Sequence, residues 1–390
     1  MSSLSIKLMT ASFAVLASAL VATPASAQEK LRIALDTNPV HVRNKGVEIF
    51  VEELKKRTGN RFAIEVYPSG QLFRDRDVPR ALRQDAVEMA VPGTWQLDSA
   101  EPNAALQSLP MFYGVDGPTV YKVMDGKLGD FLNKKFEDRM RVKILGKWME
   151  LGMQHTYSIK KEIKTPADLT GMKLRYAGGT ANAQRINTLG GTALLVPWPD
   201  VPLAMSQGVM DGLVTTYESS LSSKLMDSGM RFAYEDSNQF NQYVPMMRAN
   251  FFNKQPKEVQ QAILESWEIA ATQQRKDATN AQLKAKEALV KNGLKVVVPT
   301  QAELLASRQK LMKMQPELVK SIKMDNDVVD EALKNLKAAG VAYLQCKLKI
   351  QFRQPSHLAI DSTRLCVKRL RLTSRQKPTQ YPNLILSKRW

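Results

Sequence analysis

Apolar residues recur along this chain with two different periods, and the switches between them mark out successive elements. An apolar stretch over 31–35 reads as a strand. Over 44–57, Val47, Phe50, Val51 and Leu54 fall on one helical face, and Gly59 ends the helix. Residues 62–67 alternate apolar with polar and predict a second strand, closed by the turn Pro68-Ser69-Gly70. A helix over 76–84 and a buried strand over 87–91 follow. Strands this far apart cannot be joined as hairpins, so the order β-α-β-α-β predicts crossover connections and a parallel sheet.

The same grammar returns further on. Strands are expected over 142–149, 154–158, 172–176, 192–196 and 212–216, with helices over 181–189, stopped by Gly190-Gly191, and over 200–207. A long helical stretch from Pro256 to about Asn292 places Ile263, Trp267, Ala270 and Ala271 on one side and has the length to lie across both units. Gly340 ends the last helical pattern, 328–339. Two α/β units are predicted.

The first residues follow another logic. Lys7 precedes an apolar run from Leu8 to Val21, and Ala25-Ser26-Ala27 supplies the small side chains a signal peptidase requires, so cleavage after Ala27 and export are expected. The run is shorter than the roughly 20 residues of a membrane-crossing helix. No second stretch of that kind occurs, and the mature chain is not expected to span a membrane.

Composition changes the picture mainly through its distribution. The chain has 390 residues and a formal charge of +18, from 56 Lys and Arg against 38 Asp and Glu. Beyond Gly340, eleven Lys and Arg face the single acid Asp361, so that segment carries +10 of the total. Clustered cations such as Lys368-Arg369-Leu370-Arg371 suit a polyanion or an anionic lipid surface. A charge run without periodicity is equally the mark of a solvated, disordered appendage, and 341–390 is read that way, with no nucleic-acid partner expected. Both cysteines, Cys346 and Cys366, lie there, which removes thiol nucleophiles, zinc-thiolate sites and disulfides from the body. With histidine only at 41, 155 and 357, a histidine-rich metal site is also ruled out, and no metal or cofactor is expected.

Little in the body suits catalysis. The small-residue loops 93–95 and 177–180 follow expected strands, where backbone N–H groups can hold an anion, but neither matches a P-loop or GxGxxG pattern. His155 has no evident Ser or Asp partner. Arg175 is more informative, since it ends an expected strand at the carboxyl edge of a parallel sheet, where ligands of open α/β sheets bind. A guanidinium there offers a planar fork to a carboxylate; a plain surface arginine at a strand end is the other reading.

Those residues also carry a family resemblance. The run Thr165-Pro166-Ala167-Asp168-Leu169-Thr170-Gly171-Met172-Lys173-Leu174-Arg175 resembles the "TPxDLKGLKIR" signature of DctP-type solute-binding proteins of tripartite ATP-independent periplasmic (TRAP) transporters. Tyr67-Pro68-Ser69-Gly70-Gln71-Leu72 is similar to "YPxGQLG", and Leu109-Pro110-Met111-Phe112 to "LPF". Pro197-Trp198-Pro199-Asp200-Val201, running to Asp211-Gly212, is similar to "PFSEVYxALQxGVVDG". The resemblance covers about 30–340. It implies a two-lobed α/β periplasmic binding protein fold with a hinge and a long helix crossing both lobes. Lobe I is expected from 28–151 plus about 240–280, and lobe II from 152–239 plus about 281–340. It further implies a periplasmic binder rather than an enzyme, which gives a small organic acid to a membrane permease.

By the same resemblance Arg175 grips the ligand carboxylate and Trp198 packs against the ligand body, with a core role for Trp198 left open. Where many members carry a second arginine in an "NGxR" turn, this chain has Gln154, and where many have the asparagine of "QENP" it has Thr215. A second carboxylate would lack its partner, so the expected ligand is a monocarboxylate with a hydroxyl, keto or aromatic substituent read by Gln154, Thr215 and Trp198. Loops of the other lobe are expected to contribute Asn38, Gln71, Thr94, Trp95 and Phe112. Asn38 has a second reading as a helix cap, Gln71 as a turn residue and Phe112 as core. An exported α/β enzyme acting on a similar acid is the rival expectation.

Overall fold

A computed structural model describes residues 28–341. The expected signal segment, 1–27, and the basic segment from 342 onward, expected to be a disordered tail, lie outside the described residues. Eleven strands form two sheets. β1 (Glu29–Ala34), β2 (Phe62–Tyr67), β3 (Met89–Ala90) and β4 (Val142–Ile144) belong to the first. The second takes β5 (Met149–Ser158), β6 (Lys173–Tyr176), β7 (Thr192–Leu195), β8 (Gly212–Thr215) and β9 (Phe232–Tyr243). The chain then returns through β10 (Met246–Arg248) to the first sheet and ends its strands with β11 (Lys295–Val297) in the second.

The first sheet runs β2-β1-β3-β10-β4, with β1, β2 and β3 parallel, as their long separations require. β10 enters antiparallel between β3 and β4. The second sheet runs β11-β9-β5-β8-β6-β7. Its β6, β7 and β8 are parallel, while β5 is antiparallel to both β8 and β9. The strand expected over 142–149 divides: β4 stops at Ile144, and Met149 already begins β5.

β5 and β9 run from one lobe into the other. Met149 and Tyr243 are buried in the first lobe's core with Phe50 and Trp267, whereas Tyr157 and Ala233 are buried in the second lobe with Leu213 and Met230. Their pairing is irregular between Glu150 and Gly152, and again between Gln154 and Thr156. The helix Lys257–Lys291 crosses the same boundary. Its 35 residues, about 50 Å at 1.5 Å each, bury Ile263, Trp267, Ala270 and Ala271 in the first lobe and Ala285 and Leu289 in the second. The last helix, Asn326–Ala338, was expected with lobe II. It instead buries Val328, Val329, Ala332 and Leu336 against Val120 and Phe136 of the first lobe, because its apolar face is complementary to that core. Among the described residues no helix is long and apolar enough to cross a membrane.

Glycine decides how closely the lobes approach. Gly178 and Gly179 have φ of 155° and 84°, and a Cβ on Gly178 would stand 2.6 Å from Gln96 Oε1. The loop therefore seats against the Trp95–Gln96 turn only without side chains.

Trp267 anchors the crossing helix: it is fully buried, its ring lies 5.5 Å from that of Phe50, and its Nε1–H donates to Lys147 O at 2.8 Å. Trp267→Ala should cost about 3 to 5 kcal/mol in chemical denaturation followed by circular dichroism. Trp267→Phe should cost less, since it keeps most of the buried ring and strands only a carbonyl.

Candidate functional site

Residues at or just beyond the carboxyl ends of β1, β3, β6 and β8 line one hollow between the lobes. Arg175 stands in its wall, next to last in β6, and is only 1% exposed. Its Nε–H donates to Val196 O at 2.8 Å, and its Cζ lies 5.2 Å from the ring centre of Trp198. Among the described residues no carboxylate pairs with it, and Nη2 has no hydrogen-bond partner. Burial lowers its pKa to about 10 against the opposing pull of Asp36 and Tyr243, so it remains a cation at neutral pH.

A second buried arginine supplies the contrast. Arg43, fully buried beneath the hollow, is paired with Asp36, donates from Nη1 to Asp75 Oδ2 at 2.7 Å and to Val91 O at 3.0 Å, and lies 4.4 Å above the Tyr243 ring. Burial works against its charge, but Asp75 and Asp36 outweigh it and hold the pKa above its ordinary value. A buried charge without such a partner costs several kcal/mol. Arg175 is the cation that an incoming anion would stabilise.

The expected site residues divide. Arg175, Trp198, Thr215, Gln154 and Trp95 all line the hollow. Asn38 lies outside it: Oδ1 accepts from the N–H groups of Val40 and His41, and Nδ2 donates to Ser222 O at 3.1 Å and Ser223 Oγ at 3.2 Å. It thus closes the turn ahead of the first helix, whose N-cap is His41, and ties that lobe to the end of the helix Tyr217–Ser222 of the other. Gln71 is exposed, its N–H closing the turn onto Pro68 O at 3.1 Å. Thr94 sits buried behind the wall, its Oγ1 3.4 Å from Gln107 Oε1, and Phe112 is in the first lobe's core. The small-residue loops are already answered within the chain, since Thr180 N donates to Asp98 Oδ2 at 2.9 Å and Gly93 N to Asp75 Oδ2 at 3.3 Å.

Asp36, His41, Ser219 and Tyr243 also line the hollow, unforeseen from sequence. Tyr243 ends β9, a strand with no apolar alternation to reveal it. His41 shows how the rival enzyme reading fares. Its Nε2 is 3.0 Å from Ser219 Oγ and 3.1 Å from Glu218 Oε2, a grouping reminiscent of a hydrolase. Nδ1, however, accepts from Arg43 N at 3.0 Å, so the neutral ring carries its proton on Nε2 and has no lone pair facing the hydroxyl. Burial, with help from Arg43, keeps the imidazole well below its usual pKa. Among the described residues no group of three His, Cys, Asp or Glu gathers as a metal site.

Burial raises Glu218 to about 7. Its folded-state value exceeds the unfolded one, so the stabilisation from its protonated form is complete below about pH 4.5 and is lost as pH rises through about 7. Glu218→Gln should remove that loss: thermal melts should show the variant gaining on the parent between pH 5 and pH 8, by about 1 to 3 kcal/mol.

Residues 34–322 match the family described as DctP, bacterial extracellular solute-binding protein, family 7. The 2,3-diketo-L-gulonate-binding periplasmic protein YiaO of Escherichia coli is 23% identical over 75% of this chain and 88% of its own length. The C4-dicarboxylate-binding periplasmic protein DctP of Rhodobacter capsulatus is 25% identical over 58% of this chain and 68% of its own. The crystal structure of a TRAP periplasmic solute-binding protein from Ralstonia eutropha, with bound (S)-2-acetolactate, superposes with a TM-score of 0.74 at 25% identity, covering 79% of this chain and 99% of that one. These relatives are binding proteins rather than enzymes. With two lobes of the same architecture and a family match across most of its length, this chain belongs to the DctP family, the solute-binding proteins of TRAP transporters.

Proposed function

We propose that this protein is the extracytoplasmic subunit of a TRAP transporter that captures a small hydroxy or keto monocarboxylate and passes it to a membrane permease. The observation that carries the reading is Arg175, a buried cation with no carboxylate partner among the described residues, facing a hollow between two lobes. The ligand's carboxylate takes the place of the missing counter-charge. Trp198 and Trp95 flank the ligand body, while Gln154 and Thr215 meet its oxygen substituents. A second full carboxylate would have to face the neutral Gln154, which is why a monocarboxylate is preferred. The acetolactate carried by the Ralstonia protein, a hydroxy keto monocarboxylate, is of this chemical class.

Capture is electrostatic and conformational together. An ion pair strengthens as water leaves it, so the pair gains most in a closed cleft. The acid shifts the lobes toward closure only so far as it touches both, and Asp36, Thr37 and Trp95 of one lobe share the hollow with Arg175 and Thr215 of the other. The signal at 1–27, cleaved after Ala27, delivers the chain outside the cytoplasm, and lobes divided near 151 and 240 turn about β5 and β9.

Arg175→Ala should leave the melting temperature of the free protein nearly unchanged or higher, and weaken binding of acetolactate or lactate by about 2 to 5 kcal/mol in calorimetry. Equal affinities in the variant and the parent would remove Arg175 from the site. The bound acid should also be recovered chemically unchanged after long incubation; a new product in the mixture would favour the enzyme reading.

A further inference from the structure

One contact between the lobes lies outside the hollow and is made by an ionisable group. Glu218, the second residue of the helix Tyr217–Ser222, reaches from the second lobe to the start of the helix Val42–Thr58 in the first. Its Oε1 accepts from Val42 N–H at 3.0 Å, and its Oε2 lies 3.1 Å from His41 Nε2. That long helix has no acid in its own first turn, so the positive end of its dipole is met by a carboxyl of the opposite lobe. Behind Glu218, its N–H donates to Gln282 Oε1 at 3.0 Å, and Gln282 Nε2–H donates to Leu151 O at 2.8 Å, which ties the short helix to the boundary between the lobes. Neither Glu218 nor Val42 lines the hollow, although His41 and Ser219 beside them do.

Glu218 is 6% exposed, and apart from the serines of its own helix the groups its oxygens meet, Val42 N–H and His41, belong to the first lobe. Opening of the cleft withdraws them and returns the carboxyl to water. Closing buries it again. Burial disfavours a carboxylate, whereas a backbone N–H and a nearby cation favour it. Here burial is the larger effect, since it raises Glu218 to about 7 against the Val42 bond and the pull of Arg43. The other groups around it do not follow the cleft in this way. Arg43 is held as a cation by Asp36 and Asp75, burial keeps His41 and Tyr243 neutral, and the crossing helix presents the uncharged Gln282, its Lys286 being paired with Glu235. Burial also raises Asp75, but its partners, Arg43 and Gly93 N–H, both belong to the first lobe.

We infer that Glu218 takes up a proton when the cleft closes, so that capture of the acid is coupled to protonation of a residue that does not touch it and tightens as the pH falls. The protonated carboxyl still accepts from Val42 N–H, and its hydroxyl donates to Ser222 or Ser219 of its own helix. The sign follows from the burial. A closed form that holds the proton more tightly than the open one is favoured by protons, in full below the open-state value and not at all above the closed-state value. Arg175 keeps its charge throughout this range, so the anchor itself does not titrate. The inference rests on the Arg175 reading with its closure of the lobes, and adds a proton to it.

Calorimetry with lactate and pyruvate, both fully ionised above about pH 5, tests it. Affinity for each should rise by about 5- to 30-fold from about pH 8.5 to about pH 5.5, and titrations near pH 6 in two buffers of different ionisation heat should show uptake of roughly half to one proton per acid bound. Glu218→Gln, whose neutral amide stands in for the protonated carboxyl, should hold the parent's low-pH affinity across the whole range and take up no proton. Glu218→Ala removes the titration as well, and replaces the glutamine variant if that one fails to fold. A parent affinity that is flat or rises with pH, or a pH dependence that persists in the Glu218 variants, overturns the proton coupling and leaves the Arg175 reading intact. Loss of both acids at every pH in Arg175→Ala supports the common anchor. Failure of both acids to bind the parent at any pH overturns both.

Discussion

An arginine buried without a counter-ion is the constraint around which this molecule is arranged. Two arginines lie beneath and beside the same hollow, and they differ in one respect: Arg43 is held by Asp36 and Asp75, Arg175 by a single backbone carbonyl and an aromatic face. The first is part of the fold's internal satisfaction. The second is the charge that the proposed anion would pair. Placing such a group requires a rigid strand under it and a wall opposite that excludes water. β6 supplies the strand, and the Trp95–Gln96 turn, brought close by Gly178 and Gly179, supplies the wall.

The interface between the lobes is polar in a way that suits opening. Asn38 bonds to the end of the helix Tyr217–Ser222, His41 approaches Ser219 and Glu218, and Arg74 pairs with Asp200 at 2.8 Å across the partly exposed rim. The rim pair Arg74–Asp200, the exposed one of these contacts, contributes at most about 1 kcal/mol. Contacts that water can replace hold the lobes together without fixing them, unlike the continuous apolar cores inside each lobe.

Sequence revealed the parallel strands and the crossing helix because their faces are segregated: Ile263, Trp267, Ala270 and Ala271 advertise a helix at once. It concealed β9. That strand carries Asp236, Asn238, Gln239, Asn241 and Gln242, all buried, so its inward face is written in amides rather than in apolar residues. Tyr243, at its end, was hidden with it. Arg175 was legible in part: its strand-end position puts it at the sheet's carboxyl edge, and the family resemblance then favoured the cleft over a plain surface role. Phe112 takes its other reading, as core, and Thr94 lies behind the wall, since proximity along the chain to cleft loops does not say which way a side chain turns.

The two irregularities in the β5 and β9 pairing fall on either side of Gln154, which lines the hollow. In the proposed closure that residue would sit on the axle of the molecule. Rotation about a line through it sweeps the outer rims through large arcs and moves Gln154 hardly at all. If the lobes turn there as proposed, a solute held at that amide would keep its contact while the rims part, and would leave from the periphery inward.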